Sequence, residues 1–428
     1  MAIKDRKYET LQRDALQQLQ LERLQAILNR VYMNVAFYRN LLDKAGIAPE
    51  DISSLDDLPK IPFTAKESLV ENQPYGMFTL PLREVVRLQS SSGTTREPIV
   101  VGYTKNDIEH WTELVSRVLM AGKVTKDDVV QISFDYGLFT GALGFHYGAE
   151  LIGATVIPCS RLSAEKQIAV MRNYRTTVLV GTPTFALQVV DIMNEQGINP
   201  AELSLRVGLL GSEPWSEVVR QEIERGLHIT ALDNYGISEI IGPGVAVECE
   251  EKNGMHIFED HFIPEVVDPE TGEVLPEGET GELVLTTITK EAFPLIRYRT
   301  GDLTSLHYDA CPCGRTLVRM SRVAERTDDL IIIQGVKVLP SRIEQILAEI
   351  EGTETHFRLN VDRSGATDEL EVSVEVSDRI FFDEVGKMSE IQEEIQRRLD
   401  EALGLFVRVR LVEPMSIQKW KESSGNSH

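Results

Sequence analysis

Cysteine is scarce in this sequence, and long apolar runs are missing from it. Four cysteines in 428 residues are too few for a disulfide scaffold. No apolar stretch approaches the roughly 20 residues that a membrane-spanning helix requires. The opening residues also lack the apolar centre of a signal peptide. We therefore expect a cytoplasmic protein with no membrane partner.

Basic residues are outnumbered, 44 Lys and Arg against 67 Asp and Glu, which gives a net charge of −23. This balance argues against a nucleic-acid partner, because following a nucleic-acid backbone requires a basic face. A small anionic substrate remains compatible, since one pocket can be positive on an acidic protein. The length of 428 residues exceeds what one hydrophobic core usually fills and predicts at least two domains.

Hydrophobic periodicity predicts helices first and an α/β layer after them. Residues 8–45 carry apolar side chains at helical spacing. From about residue 85 to residue 245, short apolar runs alternate with amphipathic segments, the pattern of a largely parallel sheet with helices. The predicted strands are DVVQISF, GATVIPC, TTVLVG, LRVGLLGS and HITALDNYG, and the predicted helices are SAEKQIAVMRNY, PTFALQVVDIMNEQG and SEVVRQEIERG.

The rest of the chain has a different pattern. Residues 246–325 consist of strand and turn signals, with Asp-Pro-Glu-Thr-Gly as a hairpin signal, and predict a smaller β subdomain. A compact tail of strands and helices follows, so we place a boundary near residue 327. The predicted organisation is an α/β protein with a large N-terminal domain, 1–327, and a small C-terminal α+β domain, 328–428.

A cluster of hydroxyl side chains lies between two strand-like runs in RLQSSSGTTREPIVVGYT, residues 87–104. It lacks the Gly-Lys-Ser/Thr ending of a Walker loop, and Gly242-Pro-Gly244 lacks the third glycine of the dinucleotide fingerprint. Two interpretations are open: the polar turn of a hairpin, or a loop whose hydroxyls and backbone amides bind phosphate. Considered alone, the stretch is more typical of a turn.

Companion motifs change that interpretation. DNYGISE (233–239), YRTGDL (298–303) and RTDDLIIIQGVKVLPSRIE (326–344) follow the hydroxyl cluster in order. Together with IPFTAKESLVENQPYGMF, DYGLFTGALGFHYGAE, GSEPWSE and HIFEDHFIPEVVDPETGEVLP, they span nearly the whole chain. The set resembles the adenylate-forming superfamily of acyl-CoA synthetases, and more closely its phenylacetate–CoA ligase family. The resemblance implies that family's fold, with a mobile C-terminal domain, and favours a phosphate loop at residues 91–95.

The resemblance implies ATP-dependent ligation of an aryl or arylacetic acid, with phenylacetate as the first candidate, to coenzyme A. The reaction would pass through an acyl-adenylate and release AMP and pyrophosphate, with Mg²⁺ as the cofactor. Because carboxylate and phosphate are both anions, their approach requires phosphate donors and a divalent cation. Two alternatives are an adenylating relative that does not use coenzyme A, such as a deazaflavin adenylyltransferase, and a non-catalytic nucleotide-binding protein. A homodimer is expected by family analogy alone.

The resemblance also implies roles for individual residues. Glu239 would bind Mg²⁺, Asp302 would accept hydrogen bonds from the ribose hydroxyls, and Arg326 would contact ribose or phosphate. The other residues implied to bind ATP or AMP are Ser91, Ser92, Gly93, Thr94, Thr95, Gly211, Ser212, Glu213, Pro214, Asn234, Tyr235, Gly236 and Ser238. The aryl pocket would be lined by Tyr136, Phe139, Gly141, Ala142, Ile237 and Pro243.

Simpler interpretations of some of these residues stay open. Asp302 follows Thr-Gly and could be a turn aspartate, and Glu239 could be a solvated acid at a helix start. Tyr136 and Phe139 could be core aromatics. His146 is expected to be a hydrogen-bonded core histidine rather than a catalyst.

Two segments depart from the family pattern. Arg96-Glu97-Pro98 stands where the family has Gly-Lys-Pro or Gly-x-Pro, and Arg96 either pairs with the neighbouring glutamate or offers a cation to the phosphates. The family's C-terminal Gly-Lys is missing from the tail PMSIQKWKESSGNSH, residues 414–428. Lys421 is the candidate catalytic lysine and Lys419 its alternative, since lysine is a flexible point charge.

Three of the cysteines form a set with one histidine. Their spacing is Cys-x6-His followed by Cys-x-Cys-Gly, and the residues are Cys249, His256, Cys311 and Cys313. Three thiolates and an imidazole suit a tetrahedral Zn²⁺ that holds the fold and does no chemistry. His261 is the competing fourth ligand, and the alternatives without metal are reduced thiols or a redox pair. Cys159 is expected to be a buried strand residue.

Overall fold

The structure is a computed structural model that describes residues 6–91, 98–138, 140–160, 162–323, 325–327, 331–333, 336–338, 340–350, 352–362, 369–377, 387–414 and 416–417. The chain divides into two compact units, residues 1–324 and 325–428. Within the described ranges, no helix combines the length and the apolar character needed to cross a bilayer.

The first unit contains the α-helices α1 (Arg6–Glu9), α2 (Arg13–Asn34), α3 (Ala36–Ala45), α4 (Lys66–Glu71), α5 (Lys105–Ala121), α6 (Gly141–Ile152), α7 (Ala164–Tyr174), α8 (Pro183–Glu195) and α9 (Glu217–Leu227). Its strands are β1 (Arg87–Ser90), β2 (Val100–Tyr103), β3 (Val129–Ile132), β4 (Thr155–Pro158), β5 (Val178–Gly181), β6 (Val207–Gly211), β7 (Thr230–Ile237), β8 (Gly242–Glu248), β9 (Met255–Ile257), β10 (Phe262–Val267), β11 (Gly281–Thr287), β12 (Tyr298–Thr304), β13 (Leu306–His307) and β14 (Arg319–Met320). The second unit contains β15 (Glu325–Arg326), β16 (Ile331–Ile333), β17 (Val336–Val338), α10 (Pro340–Ala348), β18 (Thr353–Asp362), β19 (Glu369–Val376), α11 (Met388–Leu403) and β20 (Val407–Val412).

A nine-stranded sheet forms the centre of the first unit, in the order β13-β14-β9-β8-β7-β6-β5-β3-β4. The strands from β7 to β4 are parallel to one another, and β8, β9, β14 and β13 extend the sheet in antiparallel pairs. Strands β5 and β6 are buried at every residue, as continuous apolar runs predict for the centre of a parallel sheet. The predicted α/β architecture is confirmed.

Capping residues determine where the helices around this sheet begin. Thr104 Oγ1 accepts a hydrogen bond from Asp107 N at 3.0 Å, and Asp107 Oδ2 accepts one from Thr104 N at 2.9 Å, which makes a capping box for α5. The hydroxyls of Thr182 and Ser216 cap α8 and α9. Since α8 follows β5 and α9 follows β6, both helices begin at the carboxyl edge of the parallel strands, where such sheets bind ligands.

The predicted β subdomain over residues 246–325 requires a correction. Its strands divide between two sheets: β9, β13 and β14 join the large sheet, whereas β10, β11 and β12 pair with one another in antiparallel fashion. The hairpin signal does form a turn, in which Asp268 Oδ1 accepts from Glu270 N at 2.9 Å and from Thr271 N at 2.8 Å. Alternation of polar and apolar residues identifies strands but does not specify which strand each one pairs with.

Ion pairs connect the N-terminal helices to the segments between the later β-strands. Residues 8–45, predicted to be helical, contain α2 and α3. Arg13 in α2 pairs with Glu259, and the fully buried Glu9 accepts a hydrogen bond from Arg315 Nε at 2.6 Å. Because both partners in the second pair are removed from water, loss of either would leave an uncompensated buried charge.

The second unit has its own hydrophobic core. Strand β19 pairs with β18 in antiparallel and with β20 in parallel orientation, and α10 and α11 contribute Leu347 and Leu399 to the core. The expected small C-terminal α+β domain is confirmed.

Candidate active site

Two of the predicted nucleotide residues contact each other across the first unit. The Tyr235 hydroxyl, on β7, donates a hydrogen bond to Asp302 Oδ2, on β12, at 2.5 Å. Both side chains are buried, and 67 residues separate them in sequence. Asp302 lies within a strand, so the alternative of a turn aspartate is not supported. The pair forms a fixed carboxylate that can accept further hydrogen bonds.

The turn after β6 is held close to β7, with no room for a side chain between them. Gly211 pairs with Asn234 across the strands, and a Cβ on Gly211 would lie 2.3 Å from the Asn234 carbonyl oxygen. The Asn234 side chain donates to Leu210 O at 2.8 Å. Ser212 follows with a φ of +73°, in the left-handed region that non-glycine residues rarely adopt. A strained backbone at this position is typical of a functional turn.

Glu213, in the same turn, is connected to a helix start. Its Oε1 accepts a hydrogen bond at 2.6 Å from Thr184 N, which lies in the first turn of α8. A carboxylate at that position is favoured by the partial positive charge of the helix N-terminus. Pro214, the next residue, is exposed.

Glu239 lies in the turn between β7 and β8 and is buried. In the described part of the chain, no group donates a hydrogen bond to its carboxylate. The neighbouring Ser238 hydroxyl lies 3.2 Å from Thr140 Oγ1, which joins this turn to the residue before α6. The alternative of a solvated helix-start acid is not supported. A buried carboxylate of this kind fits a hard divalent cation such as Mg²⁺.

The hydroxyl-rich loop lies between the antiparallel strands β1 and β2. Ser91 N donates to Ile99 O, and Ser91 Oγ accepts from Ile99 N, both at 3.0 Å. Ser90 N donates to Leu138 O at 2.9 Å, so the start of the loop contacts the segment that precedes α6. The residues Ser92, Gly93, Thr94, Thr95 and Arg96 lie outside the described ranges.

The described residues proposed for an aryl pocket lie on β7, on β8, at the start of α6 and, for Tyr136, in the segment between β3 and α6. Tyr136 and Ile237 are half-buried, and Gly141, Ala142 and Pro243 are buried, while Phe139 lies outside the described residues. Burial raises the pKa of Tyr136. His146 is hydrogen-bonded as expected, with Nδ1 3.0 Å from the Tyr136 hydroxyl and Nε2 3.2 Å from Glu150 Oε1, but its side chain is 25% exposed, so it is not the core residue that was expected.

One buried lysine near this site has no signal in the sequence. Lys290 Nζ lies 3.3 Å from the centroid of the Tyr103 ring, and it has no hydrogen-bond partner among the described residues. Burial lowers the pKa of Lys290 to about 7. The Tyr103 hydroxyl donates to Ile241 O at 3.0 Å, in the same turn as Glu239. Lys290 therefore supports this turn through Tyr103.

The sequence pattern also does not predict a charged cluster that lies beside Trp215. It contains Arg220, Asp233, Glu248 and Arg322, which come from four separate segments of the sequence. A tryptophan directly after GSEP was the only signal that could have pointed to it.

The cysteine–histidine set comes together as the spacing predicts. The ligand atoms of Cys249, His256, Cys311 and Cys313 all lie within 4.8 Å of one another. The sulfur atoms of Cys249 and Cys311 are 3.7 Å apart, and Cys313 Sγ lies 3.5 Å from His256 Nε2. His261 is not part of the group, because its Nδ1 contacts Thr289 Oγ1 at 2.7 Å and its Nε2 lies 3.3 Å from Asp260. Cys159 is buried as expected, but it directly follows β4 and does not lie within the strand.

Among the described residues of the second unit, Arg326 is the candidate for contact with ribose or phosphate. It is half-buried and lies in β15. Lys419 and Lys421 lie outside the described ranges.

Comparison with known proteins adds family information to this geometry. A family model described as "AMP-binding enzyme" matches residues 15–289, and one described as "AMP-binding enzyme C-terminal domain" matches residues 335–425. The chain is 46% identical over 420 residues to a phenylacetate-coenzyme A ligase of Thermus thermophilus, covering 95% of this chain and 94% of the relative. It is 44% identical over 413 residues to a phenylacetate-coenzyme A ligase of Escherichia coli, covering 96% of this chain and 94% of the relative.

A solved structure is similar over almost the whole length. The crystal structure of a 2-hydroxyisobutyryl-CoA ligase in the postadenylation state, in complex with 2-HIB-AMP, superposes with a TM-score of 0.86 at 26% sequence identity. The match covers 97% of this chain and 90% of that one. The arrangement described above, a fixed buried carboxylate beside a close-packed turn and a second buried acid, can bind a nucleotide and a cation.

Proposed function

The chain belongs to the phenylacetate-coenzyme A ligases of the AMP-binding enzyme family, and on that premise we propose that it joins an arylacetic acid, with phenylacetate first, to coenzyme A. The full-length likeness to these ligases carries the proposal. The enzyme is therefore an AMP-forming acid–thiol ligase that uses ATP.

In the first half-reaction, a carboxylate oxygen of the acid attacks the α-phosphorus of ATP, the bond to pyrophosphate breaks, and pyrophosphate leaves. Asp302 would accept hydrogen bonds from the ribose hydroxyls, and the Tyr235 hydroxyl, 2.5 Å away, keeps that carboxylate in one orientation. Holding the nucleotide in a fixed place lowers the entropic cost of bringing two reactants together. The turn of residues 211–214, with Asn234, would form the edge that faces adenine.

The charge of the phosphates has to be offset before an anionic acid can approach. Mg²⁺, when bound, supplies this neutralisation. Glu239 would hold the ion, because its carboxylate is buried and has no hydrogen-bond donor among the described residues. Ser91 and the four residues after it would donate hydrogen bonds to the phosphate oxygens.

In the second half-reaction, the thiol sulfur of coenzyme A attacks the acyl carbon and the thiol loses its proton. The bond between the acyl carbon and the bridging oxygen breaks, and AMP leaves with that oxygen. The half-buried Tyr136, with Ile237 and Pro243, would line the aryl pocket. Arg326 would contact ribose or phosphate, and Lys421 would stabilise charge during adenylation.

Product analysis with and without coenzyme A tests the proposed function. With phenylacetate, ATP and Mg²⁺, we expect AMP and phenylacetyl-CoA to accumulate together, and only when coenzyme A is present. Sustained AMP release that ignores coenzyme A would favour an adenylating relative. ATP binding without turnover on any aryl acid would instead indicate a nucleotide-binding protein.

We further propose that Cys249, His256, Cys311 and Cys313 bind a structural Zn²⁺. Zn–S bonds of about 2.3 Å and Zn–N bonds of about 2.0 Å at tetrahedral angles require S–S distances of roughly 3.8 Å and S–N distances of roughly 3.5 Å. The distances of 3.7 Å and 3.5 Å fit these requirements. With all four ligands supplied by the protein, the ion would have no open position for chemistry.

Metal analysis of the purified chain tests this site. We expect about one zinc per chain after gel filtration with a chelator, since a structural site binds tightly. Cys311→Ser should release the zinc, whereas Cys159→Ser, which alters a buried cysteine outside the cluster, should retain it. Equal zinc content in the two variants would exclude the cluster as the zinc site.

The division after residue 324 fits two domains that fold separately, and we propose that the linker around residue 327 is their boundary. Limited proteolysis should cut there first and leave a large and a small fragment.

The predicted homodimer is tested by light scattering.

A further inference from the structure

Two guanidinium groups hold the indole of Trp215, next to the turn at the end of β6. The guanidinium carbon of Arg220 lies 5.1 Å from the centroid of the Trp215 ring, and that of Arg322 lies 5.0 Å from it. A cation within about 6 Å of an aromatic centroid is attracted by the negative face of the ring. Trp215 is itself buried, so these contacts are shielded from water.

Three acidic side chains surround the two cations. Glu248 Oε1 accepts from Arg220 Nη2 at 2.7 Å, and its Oε2 accepts from Asp233 N at 2.8 Å. Glu217 lies 3.0 Å from Arg220 and 3.5 Å from Arg322, while Asp233 Oδ2 lies 3.4 Å from Arg322 Nε. One network of charges thus connects α9, β7 and β8.

Arg322 differs from Arg220, the other cation of the network, in two respects. Its side chain is 21% exposed, whereas that of Arg220 is 1% exposed. Arg322 Nη1 also donates a hydrogen bond to the carbonyl oxygen of Trp215 at 3.1 Å, across 107 residues of sequence. Arg322 therefore connects the last segment of the first unit to the backbone of the turn after β6.

Two of the segments that this network touches, the turn after β6 and strand β7, belong to the proposed nucleotide site. Trp215 directly follows the turn of residues 211–214, and Asp233 directly precedes Asn234 and Tyr235. The approach of Gly211 to the Asn234 carbonyl leaves no space, so a displacement of one segment requires a displacement of the other.

We propose that Arg322 is a positioning residue of the nucleotide site. It holds the turn of residues 211–214 against β7 through the ring and the carbonyl oxygen of Trp215. The inference rests on the proposed function, because it takes these two segments as the edge that binds adenine. Arg322 touches Trp215 and not the reacting atoms. Its removal should weaken nucleotide binding while the rate at saturating ATP is kept, because a site that is no longer pre-formed must be ordered on binding.

Calorimetric titration of the full chain with AMP tests the proposal without requiring turnover. We expect Arg322→Met to weaken AMP binding by roughly tenfold, the order expected for one cation–π contact and one charged hydrogen bond. Arg322→Lys should fall between wild type and Arg322→Met, because lysine keeps the charge but not the planar fork. Should Arg322→Met fail to fold, Arg322→Lys decides: weaker AMP binding by the folded variant supports the proposal, and wild-type affinity overturns it.

Arg206→Met is the matched control, since it removes another partly exposed, ion-paired arginine that lies far from Trp215 along β6. Arg206 lies directly before β6 and pairs with Asp128 at 2.7 Å, at the other end of that strand from Trp215. We expect it to leave AMP affinity unchanged. Equal losses in Arg206→Met and Arg322→Met would mean that general destabilisation is the cause, and would overturn the proposal.

Steady-state kinetics supply a readout that a purely structural role would not move. In Arg322→Met, KM for ATP should rise by the same factor as the AMP dissociation constant, with kcat and KM for phenylacetate unchanged. Added guanidinium ion should restore part of the AMP affinity of Arg322→Ala, and an alkylamine should not. Unchanged AMP affinity in Arg322→Met overturns the inference alone, whereas a wild-type chain that binds no AMP overturns the nucleotide site and the proposed function with it.

Discussion

The two ends of strand β6 satisfy their charged groups in different ways. At the amino end, Asp128 accepts hydrogen bonds from Arg206 Nε at 2.9 Å and Nη2 at 2.7 Å, from Thr177 Oγ1 at 2.7 Å and from Thr125 N at 2.8 Å. Burial raises the pKa of Asp128, but these hydrogen bonds outweigh burial and lower it overall. Asp128 is thus a fully engaged, ionised carboxylate that joins three segments of the fold.

At the carboxyl end, the same sheet has a strained backbone residue and buried acidic side chains that the fold itself does not require. Ser212 has a left-handed backbone, and Glu239 is buried with no hydrogen-bond donor among the described residues. Burial, and then the charge of Glu248, raises the pKa of Asp233 to about 8. An edge with satisfied polar groups stabilises the fold, whereas an edge with strain and unsatisfied charge is prepared for a ligand.

The largest effect should come from Glu239→Gln at the carboxyl edge. Glutamine keeps the shape and removes the charge, so we expect Mg²⁺-dependent ATP–pyrophosphate exchange with phenylacetate to fall by roughly 10²- to 10³-fold. Glu250→Gln, which alters an exposed acid paired with Lys123, is the control and should keep the full rate. A Glu239→Gln enzyme with the wild-type rate would exclude this residue from the metal site.

A smaller but specific effect is expected from Asp302→Ala. Each hydrogen bond to a charged group contributes about 1.5–3 kcal/mol, so KM for ATP should rise by roughly ten- to a hundredfold. Asp128→Asn, the removal of a charged aspartate at the opposite edge, should lower stability and leave KM for ATP as it is. If both variants shifted KM alike, the two edges would not differ in function.

The two aspartates should give stability opposite dependences on pH. The folded state keeps the proton of Asp233 up to about pH 8, whereas the unfolded chain loses it near its ordinary value, so stability falls as the pH rises between these values. The contribution of Asp128 is present above its unfolded pKa and is lost as the pH falls through its lowered folded pKa.

Thermal unfolding as a function of pH measures this contrast. The midpoint of Asp233→Asn should fall less than that of wild type as the pH is raised from about 5 to about 8, and the midpoint of Asp128→Asn should change less in acid. Parallel curves for wild type and Asp233→Asn would show that the Asp233 proton is not retained on folding.

The smallest effect should come from Arg206→Met. Its side chain is 39% exposed, and a pair screened by solvent contributes about 1 kcal/mol or less. The thermal midpoint should therefore fall by about 2–4 °C at most. A much larger drop would mean that Asp128 depends on Arg206 more than on its hydrogen bonds from Thr177 and Thr125.

The sequence predicts the parallel part of the sheet well for a physical reason. Strands β5 and β6 are continuous apolar runs, which only a buried parallel strand requires, and Thr182 and Ser216 mark the helices that follow. The motif residues on β7 follow from family resemblance and not from this pattern.

Contacts between distant segments could not be predicted. Nothing in the local pattern indicates that Tyr235 meets Asp302, or that Arg322 contacts Trp215, because hydrogen-bond partners are chosen by tertiary packing. The spacing favours His256 as the fourth residue of the cysteine cluster, but it does not exclude the competing His261. The pairing of β9 with β14, which aligns His256 with Arg319, brings His256 to the cysteines.

The buried pair of Glu9 and Arg315 has a consequence for the order of events during synthesis. The two residues are 306 positions apart, so the first helix leaves the ribosome long before its partner exists. At about 5–20 residues per second, the delay amounts to roughly 15–60 seconds. Throughout that time the Glu9 carboxylate lacks the guanidinium that balances its charge in the fold. Helix α1 is thus made long before Glu9 can reach its final, buried position.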